Sequence, residues 1–107
     1  MNNRSLLTLA FVASLALTAC SSKIQKADIP SSANPAEEVA RMETDLKDAQ
    51  ANDIDVLAFK DYDKSVKYFE EAKQDLAKGE KQEEILDDVR YSRAHLEAAR
   101  GTAEYRK

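Results

Sequence analysis

Apolar residues recur along most of this chain at intervals of three and four. Val39, Met42, Leu46 and Ala49 form one such series. Phe59, Tyr62, Val66, Phe69, Lys73 and Leu76 form a second, with Lys73 its one polar member. Ile85, Val89, Ser92, Leu96, Ala99 and Ala103 form a third. That period lines one face of an α-helix. The first helix is predicted from Pro35 to about Asn52. Asn34 is a good N-cap, Pro35 suits the first helical position, and Glu37 sits where a capping box closes. Glu37 with Arg41, and Glu43 with Lys47, are i,i+4 pairs for its outer face. Asn52-Asp53-Ile54-Asp55 breaks the rhythm, as a turn or kink. A helix continuing through it is the alternative, since no Gly or Pro enforces a stop. The second helix is predicted over 58–78, with Gly79 able to take the positive φ of a C-cap. The third starts near Lys81 and runs almost to Lys107, with acids early and arginines late, as the helix dipole favours. Gly101 weakens it by about 1 kcal/mol relative to Ala. The Lys73 stem can lie along the seam with its amine in water. Folding about Gly79 places Phe69 opposite Ser92 and Val66 opposite Leu96. No sustained alternation signals a strand. The fold class is all-α: a small helical hairpin, or a three-helix up-down-up bundle or coiled coil.

The run from Leu6 to Leu17 is different material, apolar on every side. About twelve residues suit a signal-peptide core, whereas a bilayer span takes roughly 20. Leu17-Thr18-Ala19-Cys20 follows directly and resembles the lipobox of bacterial lipoproteins. The resemblance implies that residues 1–19 are a cleaved signal peptide. It also implies that Cys20 becomes the first mature residue, with S-diacylglyceryl on its thiol and an acyl chain on its amine. Two or more chains anchor a protein stably, where one is marginal. An Asp after the cysteine retains members of that family in the inner membrane. Ser21 therefore implies an outer-membrane location facing the periplasm. Residues 20–34 are polar, with paired serines and Pro30, and read as a flexible lipidated tether. Residues 35–107 are then the helical periplasmic domain.

Composition narrows the chemistry. The 107 residues allow one small domain. Sixteen Lys+Arg stand against 20 Asp+Glu, for a net charge of -4. That balance argues against nucleic acid, which needs a clustered basic face. Cys20 is the one cysteine, so no internal disulfide forms. His95 is the one histidine and reads as a partly exposed helix residue with no companion for a metal site. The acid pairs Asp53/Asp55, Asp61/Asp63 and Asp87/Asp88 fit no calcium loop, because Gly and Glu are missing at the sixth and twelfth positions. No phosphate-binding or dinucleotide motif is present. The chain is expected to be non-enzymatic, with no metal and no cofactor other than the lipid.

Asp61 to Ala72 resembles a tetratricopeptide helix, although one repeat cannot bury its faces alone. Val56 to Ala99 is similar to the helical region that precedes the wall-binding domain of OmpA-like lipoproteins. That domain's own βαβ pattern does not occur here. The ending Tyr105-Arg106-Lys107 resembles the terminus of the murein (Braun's) lipoprotein family. There a transpeptidase joins the ε-amine of the last lysine to peptidoglycan. The resemblance implies Lys107 as attachment site, with Tyr105 and Arg106 as its recognition context. It fails in the middle, where Gly79 and the Asp53 region interrupt the repeat of that uninterrupted coiled coil.

The expected function is a tether between outer membrane and peptidoglycan. The alternatives are a helical adaptor that binds another envelope protein, and an OmpA-like lipoprotein lacking its last domain. A homo-oligomer is compatible with the sparse apolar seams. Up-down-up order puts the chain ends at opposite poles. With a free tether, Cys20 and Lys107 are expected more than about 50 Å apart.

Overall fold

The computed structural model describes residues 24–107. Four helices follow in order: α1 (Pro35–Ala51), α2 (Ile54–Leu57), α3 (Phe59–Lys78) and α4 (Gln82–Arg106). The all-α class holds, with no strand among the described residues. No helix there is long and apolar enough to cross a membrane.

Each boundary has a local cause. The Asn34 side chain accepts the Glu37 amide at 3.2 Å and caps α1. The helix stops at Ala51, and Asp53 takes a left-handed φ of 63°. An aspartate tolerates that region better than most residues. The break at Asn52–Asp55 is therefore present, and α2 forms a single turn beyond it. Gly79, with φ 72°, closes α3, and the Glu80 amide reaches back to the Asp75 carbonyl. A side chain at Gly79 would meet open space, so only backbone preference asks for glycine.

The up-down-up order is present. α3 and α4 form the antiparallel hairpin about Gly79. The Tyr62 hydroxyl reaches the Leu46 carbonyl at 3.4 Å, which sets α1 against α3. Arg93 meets Glu38 at 3.4 Å, and Arg100 and Glu104 lie beside Asp48 and Ala49, so α1 runs parallel to α4. The α1 stripe Val39, Met42, Leu46 and Ala49 is buried as its spacing predicts. All six residues of the α4 stripe are buried as well.

The α3 seam departs from expectation. Ser65, Phe69 and Ala72 face the centre, while Phe59 is 66% exposed and Lys73 lies outside. Ser65 takes the place opposite Ser92 that spacing assigned to Phe69. Its hydroxyl donates to the Ser92 carbonyl at 2.7 Å, and the Ser92 hydroxyl donates to the Ser65 carbonyl at 2.7 Å. Two short side chains bring the backbones within reach, and the reciprocal bonds satisfy both buried hydroxyls. Close approach decides the register, and bulky side chains flank it. The Lys73 ammonium lies 5.4 Å from the centre of the Phe69 ring rather than on the seam.

The largest departure is the segment before α1. Residues 24–33 do not hang free but form a strap along α4. The Ala27 amide donates to the Arg90 carbonyl at 3.1 Å. Ile29 is buried in the main core. Arg90 sends Nε and Nη2 to the Ile29 carbonyl at 3.0 and 2.6 Å. Gln82 donates to the carbonyls of Ser31 and Ala33 at 3.0 and 3.1 Å. The flexible tether expected over 20–34 is thus corrected for residues 24–34, because unpaired carbonyls find fixed donors on α4. Residues 20–23 lie outside the described residues. A strap on one side, α3 on a second and α1 on a third leave α4 buried nearly all round. That is why Leu86, Arg90, Ala94 and His95 are buried although they fall off its stripe.

Candidate functional site

The stretch expected to be a signal sequence with a lipobox, Cys20 included, lies outside the described residues, so the structure bears on the site through what surrounds Ile24 and Lys107. Tyr105 is 94% exposed and Lys107 stands beyond the last helical turn. The Lys107 amine is 3.3 Å from Glu104, a pair in open water that binds weakly. Arg106 is committed elsewhere: Nη1 donates to the Leu57 carbonyl at 2.9 Å and fastens the end of α4 to α2. Near this pole Val56 is 74% exposed and Phe59 joins it at the surface.

A groove opens on the face of the α3–α4 pair away from α1. Tyr62 and Val66 turn toward α1, whereas Lys64, Lys67 and Glu71 turn toward the groove. Its floor is a stack of three rings. Tyr68 lies between Tyr91, at 5.1 Å, and His95, at 5.6 Å and 9° from parallel. Offset stacks of this kind are favourable beyond their buried area. His95 is not the partly exposed residue expected. It is 7% exposed, and Nδ1 meets Asp61 Oδ1 at 3.2 Å. A carboxylate only accepts, so this bond places the ring proton on Nδ1. Ile24, the first described residue, closes one edge of the groove. Lys26 lies 5.7 Å from the Tyr91 ring centre while its amine binds Asp87 at 2.9 Å. That bond raises the Lys26 pKa.

Two further clusters join elements that spacing alone did not connect. Arg90, 9% exposed, gathers Glu83 at 2.7 Å and Asp87 at 3.3 Å besides the Ile29 carbonyl. Burial works to lower its pKa, and the bonds and charges of Glu83 and Asp87 outweigh it. Glu83 is held below the usual carboxylate range by the Arg90 bond and by Ser31. Glu38 of α1 is buried between Arg41 at 3.5 Å and Arg93 at 3.4 Å. Arg41 thus takes Glu38 rather than Glu37, while the expected Glu43–Lys47 pair forms at 3.9 Å.

Asp88 of α4 meets Glu71 and Asp75 of α3, with carboxylate oxygens within 4.8 Å of one another. Burial pushes the Asp88 carboxyl up to about 7, and the Asp75 hydrogen bond and the charges of Glu71, Asp75 and Asp87 add to it. The neighbour Asp87, paired with Asp88 in the sequence, turns to Lys26 and Arg90 instead. The three acids offer oxygen ligands of the kind hard cations take. Only the antiparallel pairing of α3 and α4 brings them together, and no spacing within one helix announces it.

Compared with protein-family models, with curated proteins and with solved structures, the chain matches none. Its reading therefore rests on its own residues.

Proposed function

We propose that this chain is an outer-membrane lipoprotein, non-catalytic, whose helical domain tethers that membrane to peptidoglycan. The observation that carries the reading is Leu17-Thr18-Ala19-Cys20 after a short apolar run, with the single cysteine of the chain at that place. Cys20 takes the lipid in this reading, and the ε-amine of Lys107 takes the wall peptide. Support for the second half comes from the end of α4. Lys107 and Tyr105 are open to solvent, and among the described residues the amine is engaged only by the exposed carboxylate of Glu104. A transferase needs such access to an amine nucleophile.

The docked strap changes the geometry of the tether. Traced backwards, residues 33 to 24 run from the level of Gln82 up to that of Tyr91 and His95. They head toward the pole that holds Lys107. With the strap seated, Ile24 is held near the middle of α4, between its two ends. The separation of more than about 50 Å requires the strap to leave α4. Sacculi digested with lysozyme should yield a muropeptide carrying the C-terminal Lys107. Protein fully extracted by hot detergent, with none left on sacculi, would sink the covalent link.

A second reading is a helical adaptor placed by its lipid, and the aromatic groove favours it. In that case deleting Lys107 changes nothing. Charge reversal across Asp61 to Lys73 removes a partner in a pull-down.

A further inference from the structure

The strap fixes where any N-terminal anchor must emerge. Ile24 lies at the groove beside Tyr68 and Tyr91. Only Ser21, Ser22 and Lys23 separate it from Cys20. Four residues of extended chain reach about 14 Å. The glycerol and acyl chains of a lipidated cysteine sit at and below the headgroup layer. The bilayer surface is therefore within about 14 Å of Ile24 whenever the strap is seated.

That distance decides the orientation of the domain. α1 covers the other face of the α3–α4 pair, and each helix layer adds roughly 10 Å. For α1 to meet the membrane, the link would have to pass round the α3–α4 layer, farther than it extends. Of the two broad faces of the domain, the one within reach is the groove face, with Lys64 and Lys67 at its rim. Its charges do not favour an anionic surface. Lys67 pairs with Asp63 at 3.3 Å and Lys26 with Asp87, while Asp61, and Glu71 beside Asp75 and Asp88, leave an acidic excess over Lys64. Charge does not draw such a face to lipid, so tie length selects it.

We propose that the groove face of α3–α4 lies against phospholipid headgroups, held there by the docked strap and the short link to the anchor. The proposal rests on lipidation of Cys20 as read above.

The lipidated full-length mature protein, placed in phosphatidylethanolamine vesicles with and without phosphatidylglycerol, tests it. A thiol-reactive depth label is attached at Lys64→Cys, or at Thr44→Cys on the exposed side of α1. Lipid on Cys20 leaves the new thiol as the one that reacts. The label at 64 should be quenched several-fold more by headgroup-level quenchers than the label at 44, with and without phosphatidylglycerol. A Gly-Ser spacer inserted between Ser22 and Lys23 leaves residues 24–33 unaltered and should abolish the difference. Equal quenching at both positions overturns the proposal. So does a difference that survives the spacer, or one confined to anionic vesicles. Mass spectrometry separates the two claims. Protein without diacylglycerol refutes the lipidation and the orientation together, whereas lipidated protein with equal quenching refutes the orientation alone.

Discussion

At the scale of single residues, Arg90 and Asp88 show how much a charged side chain depends on what faces it. Arg90 reads in the sequence as one of several basic residues that suit the helix C-terminus. In the fold it is the clasp of the strap, with two nitrogens on one carbonyl. Arg90→Gln should cost about 1.5–3 kcal/mol, the range for buried hydrogen bonds to a charged group. Hydrogen exchange should locate the loss, with faster exchange at Ala27 and little change in α3. Asp88 behaves oppositely, as an acid among acids. Its folded pKa of about 7 lies above the ordinary aspartate value of 3.8. The stabilisation it contributes is full below about 4 and lost as pH rises through about 7. Melting temperature should therefore fall from pH 5 to pH 8 in the natural protein, and fall less in Asp88→Asn. Neither role was legible in the sequence, because each depends on residues 61 positions away or on the facing helix. His95 was misjudged for the same reason: its ring is buried by Tyr68 and Asp61, which only the hairpin brings near.

At the scale of elements, periodicity carried well where the buried residues are large and poorly where they are small. The α1 stripe was legible residue by residue, and so were its Asn34 cap, its stop near Asn52 and the Gly79 turn. The α3 seam was not, since Ser65 and Ala72 lack the bulk by which a core position is recognised. Their smallness is the point, as Ser65→Leu will show. Forcing a larger side chain between two touching backbones should cost about 1–3 kcal/mol or more. Chemical denaturation can measure it. Gly101 offers the contrary test. It sits inside α4, exposed, with nothing within 4 Å of an added Cβ. Gly101→Ala should raise stability by about 0.5–1 kcal/mol, seen as a later unfolding midpoint with the slope unchanged.

At the scale of the whole molecule, the three long helices in up-down-up order came out of the sequence, and the strap that covers α4 did not. The strap has few apolar residues and no period, so its polarity resembled that of a tether. What seats it is a row of backbone carbonyls meeting Arg90 and Gln82, and a carbonyl leaves no mark in a sequence. Ordering some ten residues costs entropy of the same order as one buried isoleucine and these bonds contribute. The strap is accordingly the part of the fold nearest to release. A chain lacking residues 24–33 should keep its helical circular dichroism and melt a few degrees lower, with Leu86 and Ala94 newly open to solvent.

The strap also has a place in time. Its side-chain bonds from Arg90 span 61 residues of sequence, whereas α3 and α4 meet across a three-residue turn. Contacts that close long loops form late, after local ones have gathered. A ribosome releases residues 24–33 long before it releases Arg90. Throughout that interval residues 24–33 have no seat and, in the lipoprotein reading proposed above, stay open to an enzyme acting at Cys20. The domain withdraws that stretch only when α4 is complete.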